Sequence, residues 1–225
     1  MKRKTSLFSL ILAATAALTF FLFGGAKQNP PVAAQIKKES ATPARPEIVS
    51  REDWNAKPGV GEVKAQTLRA ITIHHTATPQ KKDVSIKKKM QNLQNFSQNE
   101  GRLATGKIKP AWFDVPYHFY IAADGKIAEG RELKFVGDTN TDYDPTGHAL
   151  IVLEGNFENE QPSAAQLKSL EMLAAWLAAE YKIPAAEIKA HNDFAATACP
   201  GKNLKNLLPA IRTKIGEMLN PSKKN

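Results

Sequence analysis

The sequence predicts a mixed α/β fold, of the α/β or α+β kind, in which helices flank one central, mixed β-sheet. Three observations favour this class. Short apolar runs rich in β-branched residues, at 68–75 and 148–154, have the length and composition of strands. Segments with the apolar spacing of amphipathic helices lie between and after them. Strands and helices mix without regular alternation, which indicates one mostly central sheet in a single domain.

Residues 1–26 precede this domain and are predicted to be a signal peptide or an N-terminal anchor. A basic start with Lys2, Arg3 and Lys4 is followed by a nearly unbroken apolar run at 7–23 and small residues at 24–26. The run is long for a cleaved signal and short for a membrane span, so membrane anchoring is the alternative to cleavage. Either way we expect an exported protein, in the periplasm, the cell envelope or the extracellular space.

The remaining chain divides into a linker, a domain and a tail. Residues 27–47 are rich in Pro and Ala and lack an apolar period, which is typical of a linker. The domain is predicted to span 48–220, and 221–225 form a short tail. The 225-residue chain has a formal net charge of +9, to which the predicted signal contributes three. This balance favours an anionic partner, but a merely soluble basic surface fits it equally well.

The first predicted strand, at 68–75, ends in two histidines that its alternation separates. Ile71, Ile73 and His75 point to one face, and His74 points to the other. Because the isoleucines are expected to face the core, His74 is predicted to lie on the polar, accessible face and is the better metal candidate. His75 is predicted to be a partly buried neighbour.

The middle of the chain is predicted to hold a helix at 83–99, a basic loop at 101–110 and a hairpin. The hairpin strands, at 115–123 and 126–131, are joined by an Asp-Gly turn. Lysines around the helix are interpreted as a solvated face, with attraction of a polyanion as the less favoured alternative. The apolar stripe of the helix comprises Val84, Ile86, Met90, Leu93 and Phe96.

The C-terminal half begins with a polar loop at 137–147 and a central strand at 148–154, which is almost continuously apolar. A capping box at 163–166 predicts the start of a long helix. Its buried stripe is predicted to comprise Leu167, Leu170, Leu173, Ala174, Leu177 and Tyr181. Pro184 is predicted to start a short helical piece, and residues 204–219 a final helix that is interrupted at Pro209.

Cys199 is the sole cysteine and follows His191 by eight positions, so it cannot form a disulfide within the chain. Such a thiol packs as a small apolar residue, acts as a nucleophile or binds a metal. Catalytic zinc takes three protein ligands and leaves a fourth position open, and the lack of a Cys-x-x-Cys pair argues for such an open site. His74 completes the candidate set. From spacing alone, however, a buried structural thiol with unrelated histidines is favoured.

Short motifs follow one another along the domain. They are Ile-Thr-Ile-His-His-Thr at 71–76, Tyr-His-Phe at 117–119, Asp-Gly at 124–125, Glu-Gly-Arg at 129–131, Gly-Asn-Phe at 155–157, and His191-x-Asp193 running to Thr197-x-Cys199-Pro200-Gly201. In sequence and order they resemble the type 2 N-acetylmuramoyl-L-alanine amidases and the peptidoglycan recognition proteins. The resemblance implies hydrolysis, dependent on Zn²⁺, of the amide bond between N-acetylmuramic acid and L-alanine in peptidoglycan. It also implies His74, His191 and Cys199 as the ligands of a zinc site at one face of the sheet.

The resemblance further implies catalytic roles for Tyr117 and Thr197. Tyr117 would lie beside the metal, where a phenol can donate a hydrogen bond to a developing oxyanion or orient the attacking water. Strand alternation would instead group it with Phe119 in the core. Thr197 stands two positions before the cysteine, where phage members carry a lysine and recognition proteins a threonine. Its hydroxyl can donate a hydrogen bond but supplies no fixed charge.

The residue that accepts the proton is an open question. Some bacterial members carry a glutamate as general base where this chain has Val152, which cannot accept a proton. Glu154 shares a face with that position, although a strand-end carboxylate in solvent is the favoured interpretation. Asp193 is a candidate acceptor of a ring N–H from a ligand histidine. His75 is a further candidate, either as a contact to the ligands or as an acid–base residue.

Structural roles are expected for His118 and His148, and substrate contacts are guessed for Lys107, Lys109 and Arg131.

The alternative to an enzyme is a receptor or scaffold that binds peptidoglycan without cutting it. Members of the family that only bind typically lack the cysteine, so Cys199 favours the enzyme. The expected partner is peptidoglycan or a muropeptide and not nucleic acid, and the protein is expected to be a monomer. A basic protein that binds polyanions in general is a third hypothesis, which rests on charge alone.

Overall fold

The computed structural model describes residues 42–103 and 106–221. The predicted signal at 1–26, residues 27–41 of the predicted linker and residues 222–225 of the tail lie outside these ranges. In chain order the elements are β1 (Ala70–His75), α1 (Ile86–Gln98), β2 (Gly101–Arg102), β3 (Ile108–Lys109), β4 (Phe119–Ile121), β5 (Ile127–Glu129), β6 (His148–Leu153), α2 (Ala164–Glu180), β7 (Ile188–Ala190), α3 (Lys202–Lys205) and α4 (Leu208–Leu219). None of the helices in the described ranges is long and apolar enough to cross a membrane.

The central sheet has five strands in the order β5-β4-β6-β1-β7. The pairs β4–β6, β6–β1 and β1–β7 are parallel, and β4–β5 is antiparallel. The sheet is therefore mixed, and β6 occupies its centre, as its continuous apolar run predicted. In such sheets, ligands bind where parallel strands end, and β1, β6 and β7 end at one edge.

Helices cover both faces of the sheet, which confirms the mixed α/β class. On one face, α2 and α4 pack against the isoleucines of β1 in a large core that includes Ile71, Ile73 and Leu173. The opposite face carries a smaller cluster in which Met90 of α1 contacts the side chains of β4 and β6. His74 points to this second face, as the alternation of β1 predicted.

Local signals at the helix starts agree with the structure. Ser163 and Gln166 form the predicted capping box at the start of α2. The prediction that Tyr181 belongs to the buried stripe of α2 is wrong, because Tyr181 lies at the C-terminal cap of the helix and is 39% exposed. Phe96, in the last turn of α1, is likewise 45% exposed and not part of a buried stripe. In both cases the apolar period continues past the point where the helix stops facing the core.

Three other predictions are refined. The short helical piece predicted after Pro184 is present as a single 3-10 turn, Ala185–Glu187, but the chain then forms the edge strand β7 before it reaches His191. The predicted final helix is interrupted, since α3 and α4 take its place, but the break lies at 206–207, and Pro209 stands in the first turn of α4, where its missing N–H has no intrahelical acceptor to lose. Residues 101–110 are not only loop, since they contain the short antiparallel strands β2 and β3.

Candidate metal centre

The parallel pairing of β1 and β7 brings two distant histidines together. Ile73 pairs with Ala190 in the register of these strands, so His74 and His191, the residues that follow each of them, lie side by side. Cys199 lies on the loop that follows. The N–H of Asn192 donates to the carbonyl of Cys199 at 2.9 Å, which closes this loop back onto the histidine.

The side chains of His74, His191 and Cys199 converge at this edge. Each offers one ligand atom, and these atoms lie within 4.8 Å of one another. The ring centroids of the two histidines are 4.5 Å apart, and Sγ of Cys199 is 3.6 Å from Nδ1 of His74. Two imidazoles and a thiol are a donor set that suits zinc.

Unpaired buried atoms at this position support a ligand. In the described ranges, four buried side-chain N and O atoms lack a hydrogen-bond partner, and they belong to His74 (Nε2), Tyr143 (Oη), His191 (Nδ1) and Asn192 (Oδ1). A buried polar atom without a partner costs free energy that a bound ligand recovers. One ring nitrogen of each histidine is among these four atoms, which is the pattern expected if a metal binds between the two rings.

Burial sets the charge of the three groups. It lowers the pKa of His74 well below its ordinary value and lowers the pKa of His191 to about 4, so both rings are neutral, as metal ligation requires. Burial also raises the pKa of Cys199 to about 12, although a hydrogen bond from the His75 N–H acts in the opposite direction. By itself the thiol therefore stays protonated near neutral pH and is a poor free nucleophile, whereas a bound cation would deprotonate it.

Tyr117 lies beside the centre, with its ring centroid 5.2 Å from that of His74. It packs against the smaller cluster on the face of His74 and not with Phe119 in the large core. Strand alternation fails here because β4 begins only at Phe119. Burial, reinforced by Cys199, raises the pKa of Tyr117, so its phenol keeps its proton and can act as a donor.

Thr197 and His75 contact the cysteine loop. The hydroxyl oxygen of Thr197 accepts a hydrogen bond from the N–H of Cys199 at 3.2 Å. The backbone N–H of His75 donates to Sγ of Cys199 at 3.4 Å. The ring of His75 faces away, since its Nδ1 accepts from the N–H of Phe157 at 3.2 Å. His75 therefore touches the centre through its backbone.

Glu154 is neither in solvent nor at the centre, which corrects the prediction from its strand-end position. Its carboxylate accepts hydrogen bonds from the N–H groups of Lys81 and Ala123, both at 2.9 Å, and pairs with Nζ of Lys89 at 2.7 Å. Its side chain is only 3% exposed. These partners hold the carboxylate between α1 and the turn after β4.

Asp193 does not accept a ring N–H from a ligand histidine, as was predicted. Its carboxylate accepts from the N–H of Ala190 at 2.8 Å and pairs with Lys205. The partner of the His191 ring is Thr141, whose Oγ1 lies 2.8 Å from Nε2. Sequence reasoning missed Thr141, because it lies in a polar loop without a recognised motif.

Two basic residues guessed to contact substrate are buried, and that guess is wrong for them. Arg131 is 1% exposed and donates to the carbonyls of Asp114 and Val115. Lys109, also 1% exposed, donates to two carbonyls at the end of α1 and to that of Pro110. Lys107 is exposed.

His118 and His148 have the structural roles expected of them, each being buried and hydrogen-bonded within the domain.

The comparisons with known proteins agree on one family. A family model described as N-acetylmuramoyl-L-alanine amidase matches residues 64–202. Peptidoglycan-recognition protein SD of Drosophila melanogaster is 30% identical over 169 residues, which are 72% of this chain and 83% of the fly protein. The crystal structure of the Drosophila protein matches at a TM-score of 0.62 and 30% identity, covering 73% of this chain and 94% of the other.

Two further solved structures show the range of the relatives. N-acetylmuramoyl-L-alanine amidase LysC from Clostridium intestinale matches at a TM-score of 0.60 and 26% identity, covering 76% of this chain and 97% of LysC. Peptidoglycan recognition protein LE matches at a TM-score of 0.61 and 26% identity, covering 72% of this chain and 92% of the other. It was solved in complex with tracheal cytotoxin, a monomeric diaminopimelic acid-type peptidoglycan. The relatives thus include both an amidase and recognition proteins, and the chain belongs to the N-acetylmuramoyl-L-alanine amidase family.

Proposed function

We propose that this protein is a Zn²⁺-dependent amidase that hydrolyses the bond between N-acetylmuramic acid and L-alanine in peptidoglycan. The observation that carries the proposal is the convergence of His74, His191 and Cys199, in which ring nitrogens of both histidines are buried without a partner. Family membership and the likeness to the amidase LysC support it.

The three residues would hold zinc as its protein ligands and leave a fourth position for water or substrate. A zinc ion bound there supplies Lewis-acid chemistry, because it polarises a carbonyl and lowers the pKa of a water molecule towards neutrality. The protein supplies neutral imidazoles, and it supplies a thiol whose Sγ already accepts a backbone N–H from His75.

Tyr117 and Thr197 are the polar side chains that we assign to the reacting amide. The phenol of Tyr117 stays protonated and would donate a hydrogen bond to the carbonyl oxygen as that oxygen gains charge. Thr197 accepts from the N–H of Cys199, which leaves its own hydroxyl proton for the same oxygen. Glu154 is not the proton acceptor, since its carboxylate is held by Lys81, Ala123 and Lys89.

The proposed partner is peptidoglycan or a soluble muropeptide. The relative solved with tracheal cytotoxin supports a ligand of this class. The net charge of +9 favours anionic polymers such as the wall. Action outside the cytoplasm, with residues 1–26 as a signal or an anchor, is proposed from the sequence of that segment.

A second candidate function is recognition of peptidoglycan without cleavage. The observation that favours it is the likeness to recognition proteins, among them one that is 30% identical. Thr197, where recognition proteins carry threonine, agrees with that likeness. The two functions differ in whether the bound amide is cut.

Release of stem peptides by the wild type separates the two, and the substitution Cys199→Ser then tests the metal assignment. In the amidase, loss of the thiolate ligand removes several kcal/mol of transition-state stabilisation, so release of stem peptides from purified peptidoglycan should fall by at least about 1,000-fold. Co-sedimentation of the variant with insoluble peptidoglycan should not change. Thr213→Ala is the matched control, because this hydroxyl only bonds the carbonyl of Pro209 in α4. A Cys199→Ser variant as active as the wild type would refute the metal assignment.

A further inference from the structure

The loop between β5 and β6 carries a pair of threonines that reaches one of the candidate ligands. Oγ1 of Thr141 is 2.8 Å from Nε2 of His191. The other ring nitrogen of His191, Nδ1, is buried and has no hydrogen-bond partner. The two nitrogens of this ring therefore have different surroundings: Nε2 lies beside a hydroxyl, and Nδ1 is left for another ligand.

The direction of the hydrogen bonds follows from Thr139. Its Oγ1 lies 3.2 Å from the carbonyl oxygen of Thr141 and 3.1 Å from Oγ1 of the same residue. A carbonyl can only accept, so the Thr139 hydroxyl is the donor in that bond, and its Oγ1 also accepts from the N–H of Thr141 at 3.4 Å, which leaves one further lone pair on Oγ1. Oγ1 of Thr139 can then accept the hydroxyl proton of Thr141. With its own proton so placed, Oγ1 of Thr141 is left to accept from the ring of His191.

This order of donors selects one tautomer of the histidine. A ring that donates from Nε2 carries its lone pair on Nδ1, which is the buried nitrogen without a partner. We propose that Thr141, oriented by Thr139, is a positioning residue that fixes His191 in the tautomer whose Nδ1 can bind the metal. The inference rests on the proposed function, because it assigns a role toward the metal of that site.

The loop is held at both ends, so the threonine pair is placed by the fold. At its start, buried Arg131 donates to the carbonyl of Val136 and pairs with Asp138. Towards its end, Tyr143 stacks on Phe194, with ring centroids 5.2 Å apart and planes 15° from parallel. Tyr143 also lies 5.3 Å from the ring of His191. Because these contacts order the loop, Thr141 does not have to be immobilised when a metal binds.

The test measures zinc affinity of the full-length protein by competition with a chromophoric chelator. Thr141→Val should weaken zinc binding by about 10–100-fold, the usual effect of removing such a partner of a ligand histidine. Thr141→Ser, which restores the hydroxyl, should recover most of the affinity. The matched control is Thr146→Val in the same loop, since the Thr146 hydroxyl bonds Asp144 and not the histidine. Nitrogen-15 NMR of the wild type should show the His191 proton on Nε2.

The outcomes separate this inference from the proposed function. Wild-type protein that binds no zinc would overturn both. Wild-type protein that binds zinc, with Thr141→Val binding equally well, would overturn the role of Thr141 alone, as would a Thr141→Ser variant as impaired as Thr141→Val. If Thr141→Val fails to fold, Thr139→Val is the second test. Without its acceptor, the Thr141 hydroxyl is free to donate to Nε2, so zinc affinity should again fall, and unchanged affinity would overturn the inference.

Discussion

Adjacent residues serve the candidate centre through different atoms. His74 contributes its ring, which lies 3.6 Å from Sγ of Cys199. His75 contributes its backbone N–H, while its ring bonds the N–H of Phe157 on the other side of the sheet. The alternation of a strand explains this division, because successive side chains point to opposite faces. Alternation does not say how well each face is covered, and His74 is only 2% exposed although it was predicted to be accessible.

Glu154 should matter for stability and not for catalysis. Glu154→Gln removes the charge that pairs with Lys89, whose side chain is only 9% exposed, so the free energy of unfolding should fall by about 3 kcal/mol. Activity per folded molecule should not change, because the carboxylate is bound to Lys89 and to two backbone N–H groups. Urea denaturation and initial rates on peptidoglycan measure the two effects.

The exposed pair of Asp124 and Lys126 provides the control for this measurement. Its side chains are 55% and 65% exposed, so Asp124→Asn should leave unfolding unchanged within error. A Glu154→Gln variant with wild-type stability and strongly reduced activity would instead identify Glu154 as the missing proton acceptor.

The sequence predicted the candidate metal ligands, but it did not predict the residues that hold those ligands in place. The sole cysteine and the strand-end histidines stand out because few residue types bind zinc. Thr141 does not stand out, since a threonine in a polar loop has no distinguishing pattern, and its contact with His191 spans 50 positions. Asp193 was the nearer carboxylate in sequence, but Ala190 and Lys205 occupy it.

At the scale of elements, the site depends on the short edge strand β7. Its pairing with β1 places His191 next to His74. The strand has three residues, too few to show an alternating pattern, and it follows a proline that favoured a helical interpretation. Long elements such as α2 and β6 could be predicted because their apolar patterns extend over many residues.

The segment just before β4 should make the fold sensitive to acid. Burial lowers the pKa of His118 from 6.5 to about 4, and its Nδ1 accepts the N–H of Leu150 at 2.8 Å. The unfolded chain therefore takes up this proton first as the pH falls. The contribution of His118 to stability is complete above pH 6.5 and is lost as the pH falls towards 4, by about 3 kcal/mol in total.

His118→Gln isolates this effect from the other histidines. The free energy of unfolding should be measured for both proteins with a chelator present, at about pH 7 and about pH 4.5. The stability difference between wild type and His118→Gln should shrink at the lower pH. A difference that is equal at both values would contradict neutral His118 in the folded protein.

For the whole molecule, composition and pattern suffice for the class of fold but not for its strand order. Parallel strands pair across long connections, so neighbours such as β6 and β1 are far apart in sequence. No local pattern specifies such a pair. The candidate centre depends on this long-range arrangement, because its three residues come from the ends of β1 and β7 and from the loop that follows.

The proposed amidase should cut peptidoglycan with a metal held by this centre. The most direct measurement is mass spectrometry of the products when full-length protein acts on purified peptidoglycan, with a chelator and with zinc restored. We predict free stem peptides that begin with L-alanine, lost on chelation and regained with zinc. Protein that binds peptidoglycan without releasing such peptides would contradict the amidase and indicate recognition alone, and release that survives chelation would contradict the metal.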